Sequence, residues 1–358
     1  MMRTGRVAEQ HILGPVTYPR LNPRIWQPPR DAGLTGPFHR NEAAATVRTI
    51  AVPGINPEDV AVDAAGRVYT GTDNGAILRI TPGLRRVERV AETGGRPLGI
   101  EVDADGTLVV CDAHRGLLRV DPAIGSVRTL VRQVDGRALV FANNCSIASD
   151  GSVYFSESSV RFPFERFKGD LLEHSSTGRL MRWTPDGVEV LLTGLDFANG
   201  VALAADDSFV LIAETGGYRI RKLWLTGDRA GTAEVICENL PGLPDNISRG
   251  SGDMFWIGMP STRNSLLDRL LPRPGWLRKA VWALPDSLQP DAAHIAWVLG
   301  IDGDGTVRAN LQAHGASVHA VTGVREHGGV LYLGNLGGAH VGVLDLATAT
   351  RIGAGHGG

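Results

Sequence analysis

The chain has 358 residues with 46 glycines, 43% hydrophobic and only 21% charged residues, and a formal net charge of -2. That balance supplies many turns around a substantial core, and without a run of Lys or Arg long enough to follow a phosphate backbone it argues against nucleic acid as a partner. The N-terminus has no apolar segment to serve as signal peptide or membrane anchor, and Cys111, Cys145 and Cys237 cannot all pair internally, so reduced thiols, cytoplasmic residence and no membrane partner are expected.

Residues 1–45 are divided by Pro15, Pro19, Pro23, Pro28 and Pro29 into extended stretches, which predicts an N-terminal extension wrapped on an outer surface. The run Ala45-Thr46-Val47-Arg48-Thr49-Ile50 is strand-like. It is placed to supply the outer strand of a last repeat and so close a ring across the two chain ends.

From there a phrase recurs. An alternating apolar run leads to a turn and a second apolar run, with turns at Gly66, Gly106, Gly151, Asp207, Gly252 and Gly328, separated by 40, 45, 56, 45 and 76 residues. A third run then goes outward, as in Gly116-Leu117-Leu118-Arg119-Val120. Period-two stretches bounded by Gly and Asp make hairpins, and units of this size built from short strands are propeller blades. The expected fold is all-β, a six-bladed β-propeller over residues 46–358. Length alone suggests two domains, but ring closure leaves no broad unpaired edge and favours one.

Two insertions interrupt blades after their second strands, at residues 160–177 and 262–277. Both are expected over the channel mouth. There Phe162, Phe164, Phe167, Leu267, Leu270 and Trp276 would roof an apolar chamber, with Arg161, Arg166, Lys168 and Arg273 at its rim to meet an anion. The same residues would equally serve self-association into a homo-oligomer.

Asparagine returns at one place in the repeat, in Phe141-Ala142-Asn143-Asn144 and Phe197-Ala198-Asn199-Gly200, with a variant at Pro244-Asp245-Asn246. Counting back eight residues from four of the turns gives Glu58, Leu98, Asn143 and Asn199, and the same count in the sixth unit lands on Ala320 beside His319. A polar amide at the mouth of an apolar strand costs desolvation energy unless compensated. Turn capping accounts for any one of these positions; five at equivalent mouths point to one metal ion. Glu58, Asn143, Asn199, Asp245 and Asn246 form an oxygen-rich set suited to Ca2+, whereas zinc recruits His or Cys and magnesium keeps more water.

These phrases, with Pro57-Glu58-Asp59, Ala213-Glu214-Thr215 and Arg219-Ile220, resemble the superfamily of calcium-dependent six-bladed propeller lactonases and esterases, which includes gluconolactonase and regucalcin-like enzymes, paraoxonases and strictosidine synthase-like proteins. The strictosidine synthase-like branch is the most similar, and the resemblance spans roughly residues 47–348. It implies that the five residues hold a catalytic calcium and that a small-molecule lactone or ester is hydrolysed by water attack on a polarised carbonyl. Asp245 is then the leading general base.

Departures limit the transfer. Leu98 stands where paraoxonases carry a histidine proposed to activate water. His114, from the second strand of the same blade, and His319, near the sixth mouth, are the further catalytic candidates. Glu157 and Glu214 end second strands and are candidates to orient a ligand, receive a substrate amine, or pair with Arg161 and Arg219. Strictosidine synthase itself condenses an amine with an aldehyde without metal, so that reaction and a noncatalytic calcium-stabilised ligand-binding propeller stand as alternatives.

Overall fold

All six expected turns are made by residues in the left-handed region: Gly66 (φ 74°), Gly106 (82°), Gly151 (81°), Asp207 (56°), Gly252 (64°) and Gly328 (59°). Glycine takes this conformation without steric cost, and aspartate is among the few side chains that tolerate it. Asp207 also accepts a hydrogen bond from the Ser149 amide at 2.8 Å. Each turn therefore closes a hairpin at the spacing read from the sequence.

The computed structural model describes residues 19–83, 86–284 and 294–355. Among them are six four-stranded antiparallel sheets and one small hairpin, Gln133–Val134 with Arg137–Ala138. The first strand of each sheet lies against its counterparts in the neighbouring sheets. These strands are Val60–Val62, Pro97–Val102, Ala142–Ile147, Ala198–Leu203, Ile247–Arg249 and Val321–His327, and the last meets the first to complete the ring. Arg48–Ala51 pairs antiparallel with His340–Asp345, so the sixth blade borrows its outer strand from the N-terminal side of the chain.

Blade-to-blade packing is apolar. Tyr69, Ile77, Ile100, Leu108, Val110 and Leu118 form one buried cluster between the first two blades. Each such side chain contributes about 1.5–3 kcal/mol on burial. Hydroxyls tie the innermost strands across the seams: Ser156 Oγ donates to the Asn199 carbonyl (2.6 Å), Ser248 Oγ to Val324 (2.5 Å) and Thr322 Oγ1 to Glu58 (2.5 Å).

Four innermost strands carry a register irregularity at the mouth, between Pro97 and Ile100, Ala142 and Cys145, Ala198 and Val201, and Val321 and Val324. A bulge adds an unpaired residue and re-aims its side chain. Asn143 and Asn199 both sit inside these bulges.

Of the extension expected over residues 1–45, residues 1–18, with Pro15, lie outside the described residues. The remainder packs on the propeller and its insertions. Ala43 and Ala44 are buried against Leu311, Ala313 and Val318, while Trp26 stacks on His174 with ring centroids 4.1 Å apart.

Both insertions fold into short helices: α1 (Phe167–Glu173) in the third blade, and α2 (Ser265–Leu270) and α3 (Gly275–Trp282) in the fifth. Asn264 caps α2 by accepting from the Leu266 and Leu267 amides, each at 3.0 Å. The apolar residues expected to roof one chamber divide. Phe162 is wholly buried between Leu21, Leu172 and Trp282, Phe164 packs against Phe141, and Trp276 is 66% exposed. Helical periodicity explains the last case, since α3 turns Arg278, Val281 and Trp282 inward and Trp276 and Lys279 outward.

Candidate metal centre

The five residues expected to share a metal are all buried, between 2% and 8% exposed. Each has one side-chain oxygen without a hydrogen-bond partner: Glu58 Oε2, Asn143 Oδ1, Asn199 Oδ1, Asp245 Oδ1 and Asn246 Oδ1. The amide nitrogens, by contrast, are all engaged. Asn143 Nδ2 donates to Ser158 Oγ (2.8 Å), Asn199 Nδ2 to Thr215 Oγ1 (3.1 Å) and Asn246 Nδ2 to Glu58 Oε1 (3.3 Å). These contacts fix which way each amide faces and leave its oxygen free.

A buried polar atom without a partner costs about 1–3 kcal/mol, so five together cost on the order of 5–15 kcal/mol. That equals the whole net stability of an ordinary domain, about 5–15 kcal/mol. Five acceptors from two blades and the segments leading into two others, with no donor among them, are suited to a cation.

Charge leads to the same conclusion. Burial, with Asp245 and Asp59 beside it, holds the Glu58 carboxyl well above its ordinary value, and Arg96 and Asn246 oppose the rise. Burial and the Asp59 charge push Asp245 up to about 7 against hydrogen bonds from Asn199 and Asn246. Among the described residues no three His, Cys, Asp or Glu side chains come together as a metal-holding group. The set here contains only two carboxylates and draws its other oxygens from amides.

Sequence reading missed the supports. Thr215 accepts from Asn199 and donates to the Pro244 carbonyl at 2.7 Å, coupling the ligand candidate of the fourth blade to the Asp245-Asn246 lead-in of the fifth. Ser158 holds Asn143 similarly. A signal for both existed, because each hydroxyl follows the glutamate ending its second strand, in Glu157-Ser158 and Glu214-Thr215. Asp59 and Asn144 form a second tie, with Asn144 Nδ2 donating to Asp59 Oδ2 (3.1 Å) and Asn144 Oδ1 accepting from the Val201 amide (2.8 Å). Gly200 permits the close approach of strands, since a Cβ there would lie 2.2 Å from the Ile247 nitrogen.

Other candidates fall elsewhere. His114 is half-exposed, with Nε2 2.5 Å from Glu165 Oε1, and His319 stacks on His294 at 4.5 Å; no hydrogen bond joins either to the five residues. Burial and the neighbouring His294 and His340 lower the His319 pKa. Glu157 binds Arg179, not Arg161, and the Val140 amide, while Glu214 is filled by Arg219, Arg221 and the Asp196 amide. Arg161 instead pairs with Glu173. Leu98 packs with Phe141 and Phe197. Arg96 is buried next to it. Its Nη2 donates to the Asn56 carbonyl (3.0 Å), its guanidinium lies 5.3 Å from the Phe164 ring centroid, and Nε and Nη1 have no partner.

Residues 143–228 match the family described as Strictosidine synthase, and residues 36–80 match Strictosidine synthase-like, N-terminal. The chain is 33% identical over 357 residues to Protein STRICTOSIDINE SYNTHASE-LIKE 10 of Arabidopsis thaliana, covering 90% of this chain and 92% of that one. It belongs to the strictosidine synthase-like family. A second relative is the adipocyte plasma membrane-associated protein of Salmo salar, 34% identical over 320 residues, with 82% of this chain and 76% of that protein covered.

The fold is shared more widely than the sequence. A gluconolactonase from Xanthomonas campestris superposes with a TM-score of 0.61 at 18% identity, covering 92% of this chain and 98% of that one. The calcium-binding protein regucalcin from Agrobacterium tumefaciens superposes with a TM-score of 0.57 at 13% identity, covering 82% and 90%. The strictosidine synthase-like chain thus shares its fold, six four-stranded blades in a ring, with these solved structures. Among its described residues no helix is long and apolar enough to cross a membrane.

Proposed function

We propose that this chain is a calcium-dependent hydrolase acting on a moderately hydrophobic lactone or ester. The observation that carries the reading is the set of five buried oxygens left without donors, on Glu58, Asn143, Asn199, Asp245 and Asn246. Two carboxylates and three amides are hard donors, and calcium takes about six to eight oxygens, the remainder coming from water or substrate. The likeness in fold to regucalcin and to a gluconolactonase supports the same choice. Bound there, calcium would polarise the substrate carbonyl and stabilise the oxyanion that water attack produces.

The protein's own contributions follow from position and charge. Asp245 is the candidate to take the proton of the attacking water on its carboxylate; burial pushes its pKa up to about 7 without metal, and a bound calcium would lower it from there. Arg96 offers two unpartnered nitrogens beside Glu58 to an oxygen of the substrate. Phe141, Phe164 and Phe197 supply an apolar wall beside Leu98, and the insertions are proposed to cover the mouth and exclude water. Reduced Cys111, Cys145 and Cys237 support a cytoplasmic setting.

A panel of lactones and esters assayed before calcium removal, after it and after restoration tests the proposal. Turnover should vanish and return, and activity that persists without calcium sinks the mechanism. Calcium that protects folding without any turnover favours a ligand-binding propeller, whereas metal-free condensation of an amine with an aldehyde favours the reaction of strictosidine synthase.

A further inference from the structure

The fifth-blade insertion and the extension build a surface that neither specifies alone. Pro23 lies against Gly275, whose Cβ would be 3.2 Å from the Pro23 ring, the Trp26 amide donates to the Leu271 carbonyl (3.2 Å), and Arg263 Nη2 donates to the Pro29 carbonyl (2.8 Å). Residues 23–29 thus run along α2 and α3. Trp26 turns inward onto His174, and the preceding residue of this extended stretch turns outward, leaving Ile25 72% exposed on the segment that runs along two helices whose Trp276 and Leu266 are 66% and 44% exposed.

The same two segments carry exposed cations. Arg20, Arg24, Arg30, Arg269, Arg273 and Lys279 are exposed, and none forms an ion pair among the described residues. Over residues 20–31 and 262–284 the acids are Asp31 and Asp268, and Arg263 holds the second at 2.9 Å. In a chain of net charge -2, six exposed cations against the exposed Asp31 thus share two segments with a protruding tryptophan, leucine and isoleucine.

We propose that this face docks on an anionic lipid surface, with Trp276, Leu266 and Ile25 entering the interfacial layer and the cations meeting lipid phosphates and carboxylates. Large apolar side chains projecting singly from a short helix, with Lys and Arg on the same face, are what peripheral membrane contact requires. A second copy of the chain fits less well, because a two-fold contact through this patch sets cation against cation. The inference is independent of the hydrolytic reading, since it concerns binding alone.

Co-sedimentation of the full chain with vesicles tests it. Binding is expected to phosphatidylcholine vesicles containing about 30% phosphatidylserine, with release as salt approaches about 1 M, and not to phosphatidylcholine alone. Charge reversal at Arg269, Arg273 and Lys279 together should weaken it on the order of 100-fold. Trp276→Ala should weaken it as well. Brominated acyl chains should quench wild-type fluorescence and fail to quench Trp276→Phe to the same extent, which separates insertion from adhesion. All these side chains are exposed, so the variants should keep the wild-type melting temperature. Failure of the wild type to sediment with the anionic vesicles overturns the proposal. So does a lipid-free dimer that Trp276→Ala dissociates, which would assign the face to self-association.

Discussion

Asn246 Nδ2 donates to Glu58 Oε1 at 3.3 Å, joining the lead-in of the fifth blade to that of the first across 188 positions of sequence. The contact uses one N–H of the amide on one side and one carboxylate oxygen on the other. What it leaves, Asn246 Oδ1 and Glu58 Oε2, are two of the five unpartnered oxygens. The hydrogen bonding around the mouth is therefore arranged to keep acceptors free.

Calcium is expected to raise the melting temperature. At a free concentration 100 times its dissociation constant, a bound ligand adds about 2.7 kcal/mol, which for a chain of this size is a shift of about 3–4 °C. Asn143→Ala and Asn199→Ala should lose that shift by scanning calorimetry. An unchanged calcium response in both variants would remove the two amides from the site.

Thr215→Val should weaken calcium binding by about 10- to 100-fold while leaving every candidate ligand in place. The valine removes the acceptor that orients Asn199 and the donor that holds the Pro244 carbonyl. Titration against a fluorescent chelator measures the effect, and wild-type affinity would show that the amide needs no such guide.

Asp245 supplies a pH signature. Its folded pKa of about 7 lies above the ordinary 3.8, so the metal-free folded state retains a proton that the unfolded chain gives up. The Asp245 contribution is therefore fully present below about pH 4 and is lost as pH rises through about 7. Denaturation in chelator should show wild type losing stability relative to Asp245→Asn over this interval, by on the order of 4 kcal/mol. Calcium competes with the same proton, so its affinity should rise with pH through the same range. A flat difference between the two proteins contradicts the assignment.

Proton transfer separates Asp245 from the histidines. Asp245→Asn keeps an oxygen donor but cannot readily accept a proton, so turnover should fall by about 10²- to 10⁴-fold with calcium still bound. His114→Ala and His319→Ala should change turnover little, because His114 is held by Glu165 and His319 by His294. A large loss in either histidine variant, with Asp245→Asn active, would reassign the base.

Glu214→Ala tests whether that carboxylate is structural. It leaves Arg221 without its carboxylate, Arg219 with Asp196 alone and the Asp196 amide unpaired, and breaking such a buried network costs about 3–5 kcal/mol. Calcium affinity should be unchanged. An intact melting temperature combined with lost activity would move Glu214 into the substrate site.

Much of the site was legible because blades repeat. Asn143 and Asn199 stand eight residues before Gly151 and Asp207, and a period set by hairpin geometry brings equal offsets to equal heights in the ring. Thr215 and Ser158 were less legible, since a single hydroxyl beside a strand end has many uses and only the Asn199 and Asn143 contacts distinguish these two. Trp276 was misread as part of a roof. Its exposure depends on the helical phase of α3, to which a reading tuned to alternating strands is blind.

The sequence by itself determined the six blades, the borrowed strand Arg48–Ala51 and the five polar residues at the mouths, because turn chemistry, period-two patterning and repeat offsets are local quantities. Only the tertiary structure decided which oxygen of each side chain is free, that Glu157 and Glu214 serve arginines, and that Pro23 lies against Gly275. Those outcomes depend on contacts between residues far apart in the chain, and one extended strand looks the same whichever neighbour eventually satisfies its polar groups.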